Sequence, residues 1–334
     1  MAAEPELLFG TQPGLRFAAL LDGKGGCRDL DWDGIRAWKP ADGYLWVHLE
    51  RNTAEAQDWV LDESGIERAE ALALLADESR PRVQDVGDSL LVVMRGVNFL
   101  DGSRETELVP IHIWAEGTRL ISLRDREHSL TALRDIRRHL VRGRGPRGAG
   151  HLFVQITAKV IDHVEPMVED LEDEVDLLED TTLDSATADW RPALSRTRRQ
   201  AIHLRRYLGP QREALYRLQT DDAAWLRKGD KILLREVYDR VVRHIESLDS
   251  IRDRTTILHE DLTSRISEEI AKISNRFTLV AAMLLPPSLV AGMLGANLAG
   301  IPGHDWPWAF LVLVGLILTM LPLQWLVLRW MKWL

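Results

Sequence analysis

Charge all but vanishes from the C-terminal end of this chain, and that one feature limits what the rest can be. From Met1 to Arg276 charged residues occur almost throughout, whereas between Phe277 and Leu328 the only ionisable side chains are His304 and Asp305. The runs on either side of them, 21 residues from Phe277 to Asn297 and 23 from Trp306 to Leu328, carry no charge. A helix rises about 1.5 Å per residue, so a hydrocarbon layer of ~30 Å takes about 20 residues. Both runs are long enough. As a soluble core hairpin they would overfill the interior of an otherwise charged chain. The sequence predicts two membrane-spanning helices behind a large polar domain.

Basic residues set the expected orientation. Lys272 and Arg276 precede the first run, Arg329 and Lys332 follow the second, and residues 298–306 between them hold no Lys or Arg. Cytoplasmic loops carry the excess of Lys and Arg, which predicts cytoplasmic termini and an outer loop at 298–306 in an inner membrane. The opening stretch MAAEPELLFGTQPG has no basic start followed by a long apolar run, so no signal peptide is expected. The lone Cys27 excludes an internal disulfide framework and any Cys-rich zinc site. A net charge of -9 argues against nucleic acid as a partner. The Arg-rich stretches 134–147 and 191–206 are broken by apolar positions and read as helix and linker surfaces.

Ahead of the membrane the chain reads as three regions. Residues 1–150 interleave short strand-like runs (Arg16–Leu21, Leu45–Leu49, Ser89–Val97, Val109–Ala115 and Arg119–Leu123) with short helices. Helices are expected at Asn52–Leu61, with Asn52 as cap and Glu55 completing a capping box, at Ala69–Leu75 and at Leu130–Leu140. Such interleaving predicts an α/β domain with a mixed sheet. The stretch RGRGPRGAG at 142–150 reads as a flexible break. Residues 151–230 are helical: Val164, Val168, Leu171, Val175 and Leu178 form one apolar stripe opposite a strongly acidic face, and a further helix runs over Arg191–Leu218.

From Leu234 to Phe277 apolar residues recur at threes and fours, and neither Gly nor Pro interrupts Lys231–Leu285. This predicts a stalk helix over 231–276 that enters the first span at 277–297 without a stop, packed against copies of itself or against the preceding helices. A soluble coiled coil tethered by an anchor is the plain alternative. The second span, 307–328, is rich in bulky Leu, Phe and Trp, which suits membrane lipids, and leads to a short cytoplasmic tail at 329–334. The first holds Thr278, Ser288, Asn297 and the small Gly292 and Gly295, which permit close backbone approach. Pro286 and Pro287 inside it each remove a backbone donor, giving either a simple bend or carbonyls exposed to a pore.

The proline-bearing first span ends in Gly295-Ala296-Asn297, followed by a short loop and a second span ending in basic residues. This arrangement resembles the CorA-like divalent metal ion transporter family, whose usual triplet has Met at the middle position. Ala296, the loop residues Gly300-Ile301-Pro302-Gly303, and upstream Arg80-Pro81-Arg82 and Arg95-Gly96-Val97-Asn98 are most similar to its zinc-transporting ZntB branch. The resemblance implies a funnel-shaped homopentamer whose first spans line one pore for hydrated divalent metal ions, with Asn297 ringing the mouth and Gly295 keeping the turn tight. The bland reading of Asn297 is a helix cap. Ser274, Thr278, Leu285 and Ser288 are the pore-wall candidates. They do not align with Asn297 on one ideal face, because the nine residues from Ser288 make two and a half turns; a bend at the prolines or tightening at the glycines would be required. His304 and Asp305 are candidates for attracting cations at the mouth, and His259, Glu260 and Asp261 for regulatory metal sites between chains. Solvated surface is the ordinary reading of both groups.

No HExxH, P-loop, dinucleotide-binding turn or GxSxG occurs, and His48, His112, His128 and His139 are scattered singly, so an enzyme is not expected. A membrane-anchored scaffold is the stronger rival. Within transport, neither span contains His or Cys, so zinc is implied by the branch resemblance and not by a ligand set; magnesium, cobalt or nickel is the alternative. No cofactor beyond the transported cation is expected. Uptake, efflux and coupling to a proton gradient are equally compatible with the sequence.

Overall fold

The computed structural model describes residues 12–77, 80–98, 107–125, 127–128, 130–184, 190–220, 223–296 and 306–330. They fall into two compact units, Met1–Leu258 and His259–Leu334.

Seven strands head the first unit: β1 (Leu15–Leu21), β2 (Cys27–Leu30), β3 (Tyr44–Glu50), β4 (Arg82–Val86), β5 (Ser89–Val97), β6 (Leu108–Ala115) and β7 (Arg119–Arg124). Their order is β2-β1-β3-β7-β6-β5-β4, and every pairing is antiparallel except β3 with β7. The five strands expected from apolar runs are all present. β2 and β4, unexpected, are the two edges. An edge strand keeps charge to discourage pairing with another chain, which is why Cys27-Arg28-Asp29-Leu30 and Arg82-Val83-Gln84-Asp85-Val86 do not read as strands.

Side chains alternate across the sheet. Leu90, Val92 and Met94 enter one core, while Leu91 and Val93 enter the other. Helices α1 (Trp32–Ala37), α2 (Ala54–Asp58) and α3 (Arg68–Leu75) cover the second face through Ile35, Ala56 and Leu74. Helices α4 (Thr131–Val141) and α5 (Ala149–Asp162) cover the first through Leu133, Ile136, Phe153 and Ile156. The helix expected at Asn52 starts later. Thr53 is its N-cap and makes no side-chain cap bond, because its Oγ1 donates to the Glu50 carbonyl at 2.8 Å. Beyond Asp58 the helix widens into a π turn over Trp59–Glu63. The glycine-rich stretch at 142–150 is a packed turn: Gly145 N–H donates to the Gly25 carbonyl at 2.7 Å, and Gly143 takes a positive φ of 71°.

Three long helices follow, α6 (Glu165–Asp184), α7 (Arg191–Thr220) and α8 (Lys228–Leu294). Each sends an apolar stripe into the core under one face of the sheet. α6 contributes Val168, Leu171 and Val175, α7 contributes Leu204, Leu208 and Leu215, and α8 contributes Leu234, Val237, Val241 and Leu248. The α/β and helical regions therefore share a single interior. Ion pairs close each side of a triangle: Arg196–Glu174 at 2.8 Å joins α7 to α6, Arg254–Glu179 at 2.6 Å joins α8 to α6, and Arg205–Asp249 at 2.5 Å joins α7 to α8. The Arg95-Gly96-Val97-Asn98 segment works as a clasp. Gln211 of α7, fully buried, accepts from Arg95 N–H at 2.9 Å, and a Cβ on Gly96 would lie 2.8 Å from Leu130 Cδ2.

Candidate ion path

The 67 residues of α8 make about 100 Å of helix, and α9 (Ala309–Trp330) adds 22 residues. Both contain a stretch long and apolar enough to cross a membrane. No described residue of α9 is buried, and Phe277, Leu285, Met293 and Phe310 stand 66–72% exposed. Apolar helices left bare in this way need a solvent other than water.

One stripe on each helix is partly covered. On α9 it runs through Leu313, Ile317, Met320 and Gln324; on α8 through Leu279, Met283, Pro286 and Val290, with Pro287 buried. Matching stripes at threes and fours are the pattern of two helices lying side by side. With 3.6 residues per turn, Ser274, Thr278, Leu285 and Ser288 fall within about 80° of arc on the opposite side of α8. All four are exposed. Ala281 and Gly292, also exposed, lie in the same arc. Neither is among the pore-wall candidates of the sequence, although steps of four, three, four, three and four from Ser274 to Gly292 lead to both. The Thr278 hydroxyl donates to the Ser274 carbonyl at 2.9 Å, so in one chain it is turned onto its own helix.

The helix stays continuous through Pro286 and Pro287. The carbonyls four residues earlier, on Ala282 and Met283, lose their usual donors, and both residues lie on the partly covered side away from the exposed arc. α8 ends at Leu294, so ideal-helix counting does not extend to Asn297. Asn297, His304 and Asp305, with the rest of the loop and residues 331–334, lie outside the described residues. Gly295 N–H donates to the Ala291 carbonyl at 2.8 Å, and a Cβ on Gly295 would sit 2.8 Å from that same oxygen. Only glycine fits there without moving backbone. Ala296 beside it is half-covered.

His259, Glu260 and Asp261 are exposed on consecutive positions of α8, about 100° apart around the axis, and Asp261 pairs with Arg265 at 2.9 Å. Among the described residues no three His, Cys, Asp or Glu side chains gather to hold a metal. The histidines of the soluble unit do not converge on a site. His48 is buried with Nδ1 2.9 Å from Ser122 Oγ, and burial, helped by the nearby Arg124, holds its pKa well below the usual imidazole range. Burial and then Arg51 lower His112 to about 4. His139 is exposed.

A soluble α/β unit, a stalk helix running on into an apolar stretch, and a second apolar helix define a membrane protein. The chain belongs to the family described as CorA-like Mg2+ transporter protein, whose model matches residues 41–329. It is 33% identical over 332 residues to the divalent cation transporter CmaX of Pseudomonas aeruginosa, covering 97% of this chain and 98% of that one. The zinc transport protein ZntB of Klebsiella pneumoniae is 31% identical over 299 residues, covering 89% of each chain. The solved full-length CmaX structure matches with a TM-score of 0.85 at 32% identity, over 97% of this chain and 99% of that one. The complete CorA magnesium transporter of Methanocaldococcus jannaschii matches at 0.78 over 95% and 98%, and its 19% identity speaks for the fold alone. The expected family stands, and so do the α/β domain, the long helix and the two candidate spans.

Proposed function

We propose that this chain carries divalent metal cations, zinc foremost, across the inner membrane as a homopentamer, with termini cytoplasmic and α8 of each copy lining one central path. The observation that carries this reading is the exposed arc from Ser274 to Gly292, small but for Leu285 and with three hydroxyls, turned away from the partly covered side of the helix. Five such arcs facing an axis would make a narrow wall, and the bulky bare surface of α9 would meet lipid.

A divalent ion holds its water tightly, and stripping that water inside an apolar wall costs far more than the wall returns. Five Asn297 amides at the mouth, held by the close turn at Gly295, accept hydrogen bonds from the ion's water shell without a fixed charge that would trap it. Asp305 and His304 raise the local cation concentration outside. Neither span offers imidazole or thiolate, so selection acts on the hydrated ion. Zinc is supported by the names of the ZntB relatives. The family description favours a second reading, magnesium, with cobalt or nickel as close substitutes.

The test is flux into vesicles holding equal amounts of purified wild-type, Asn297→Ala and Asn297→Asp protein, with zinc, magnesium, cobalt and nickel offered singly and with and without a proton gradient. Wild-type entry with zinc fastest, and severe loss in both variants, is expected. Near-normal flux in both variants rejects the amide ring. No flux of any ion through the wild type favours the scaffold reading.

A further inference from the structure

Helices α6 and α7 are neighbours in one hairpin, yet their charges are almost completely separated. α6 carries ten carboxylates and no Lys or Arg; α7 carries eight Arg and a single carboxylate, Glu213. Separation this complete is more than the triangle of helices uses. Glu174 and Glu179 face the neighbouring helices through their ion pairs with Arg196 and Arg254. Glu169, Asp173 and Asp180 point outward, all exposed, at steps of four and seven. On α7, Arg205 turns to Asp249 of α8, while Arg199 and Arg206 stand exposed seven residues apart on the outer side. Each outer face also holds an apolar centre within its charges: Leu177 on α6 is 63% exposed, and Ile202 on α7 is 47% exposed.

Because α6, α7 and α8 contact one another pairwise, the outer faces of α6 and α7 look in different directions. One copy therefore cannot neutralise its own acidic face with its own basic one. We propose that the outer face of α6 in one copy docks on the outer face of α7 in the next, head to tail around the ring. The occupant is a second copy of this chain, because the complementary charge and the matching apolar centre are both supplied by it. A contact that uses two different faces closes into a ring when the rotation permits, and opposite charge fixes its order and direction. An apolar centre inside a polar rim is the usual anatomy of such a contact. The proposal rests on the oligomeric reading above, and specifies which surfaces join the cytoplasmic units.

The experiment uses the full chain in a Cys27→Ser background. Two differently tagged copies are coexpressed, one with Asp173→Cys and the other with Arg199→Cys, and oxidised in the membrane. A disulfide-linked dimer carrying both tags is expected, with roughly tenfold less product when Arg199→Cys is replaced by a cysteine at exposed Lys39, on the α1 side of the sheet. Separately, Glu169→Arg with Asp173→Arg should weaken assembly roughly tenfold, measured as the protein concentration at which the oligomer dissociates, and adding Arg199→Glu with Arg206→Glu should restore it. An oligomer of normal mass that gives neither the mixed cross-link nor the rescue overturns this docking and leaves the pentamer standing. A wild-type chain that is monomeric in lipid overturns both.

Discussion

The two halves of α8 carry the same apolar rhythm and meet opposite surroundings. Leu234, Val237, Val241, Leu248 and Ile251 are buried in the core they share with the sheet. Ile270, Ile273 and Phe277, which continue the stripe, are 51–72% exposed. Periodicity says that a face will be covered, but not by what. In the first half the chain covers itself. In the second half the described residues leave it bare, and beside it lies the exposed arc from Ser274 to Gly292, the side that the proposed function turns towards the ion.

Deleting side-chain volume from each half should separate them. Leu248, fully buried, leaves a cavity when replaced, so Leu248→Ala should lower the stability of the soluble unit by about 2–5 kcal/mol, read from denaturant unfolding followed by tryptophan fluorescence. Phe277→Ala in the second half should leave that transition where it was. Equal losses would mean that both halves are covered alike.

Acid should find the soluble unit too. His112 is held neutral by burial, with its pKa lowered to about 4 from 6.5. The unfolded chain binds a proton there that the folded chain refuses, so stability present above pH 6.5 is lost as the pH falls from about 6.5 towards 4. The full effect is on the order of 3 kcal/mol. His112→Gln should flatten that part of the pH profile; an unchanged slope would assign it to other groups, His48 first among them.

At the end of α8 the comparison turns on two glycines. A methyl on Gly295 meets the Ala291 carbonyl, whereas one on Gly315 in α9 meets nothing within 4 Å. Gly295→Ala should cut cation flux at least severalfold while leaving membrane insertion and soluble-unit stability unchanged, and Gly315→Ala should do neither. Equal flux through both variants would remove the tight turn from the account.

What the sequence makes legible follows from what each residue answers to. The central strands, the stalk and both spans announce themselves because burial, or lipid, demands long apolar runs. The edge strands β2 and β4 do not, because solvent on one side selects charge. Asn52 and Thr53 are both good caps and sit side by side, so local geometry rather than residue type chooses Thr53. Strand order depends on contacts far apart in sequence, such as Trp46 of β3 with Ser122 of β7, which no local pattern reports. At the candidate path, Gly295 is visible as part of a motif, and its need for glycine only as a distance. Of the other residues of the exposed arc, Gly292 shows in the sequence only as a small residue that permits close approach and Ala281 not at all, because a small apolar side chain carries no chemistry of its own; their shared exposure sets them apart.

The central claim is that the exposed arc of α8 faces the moving ion. With Cys27→Ser removing the single, half-buried native thiol, cysteines at Thr278, Ala281 and Ser288 can be compared with cysteines at Val290 on the covered side and at Leu323 on α9. Zinc flux into vesicles is followed before and after a small, charged, thiol-directed reagent is added from the outside and from the inside. Strong block at the three arc positions, with flux through the Val290 and Leu323 variants unaltered, is the predicted result. Block at Val290 or Leu323 with the arc positions insensitive would contradict the account.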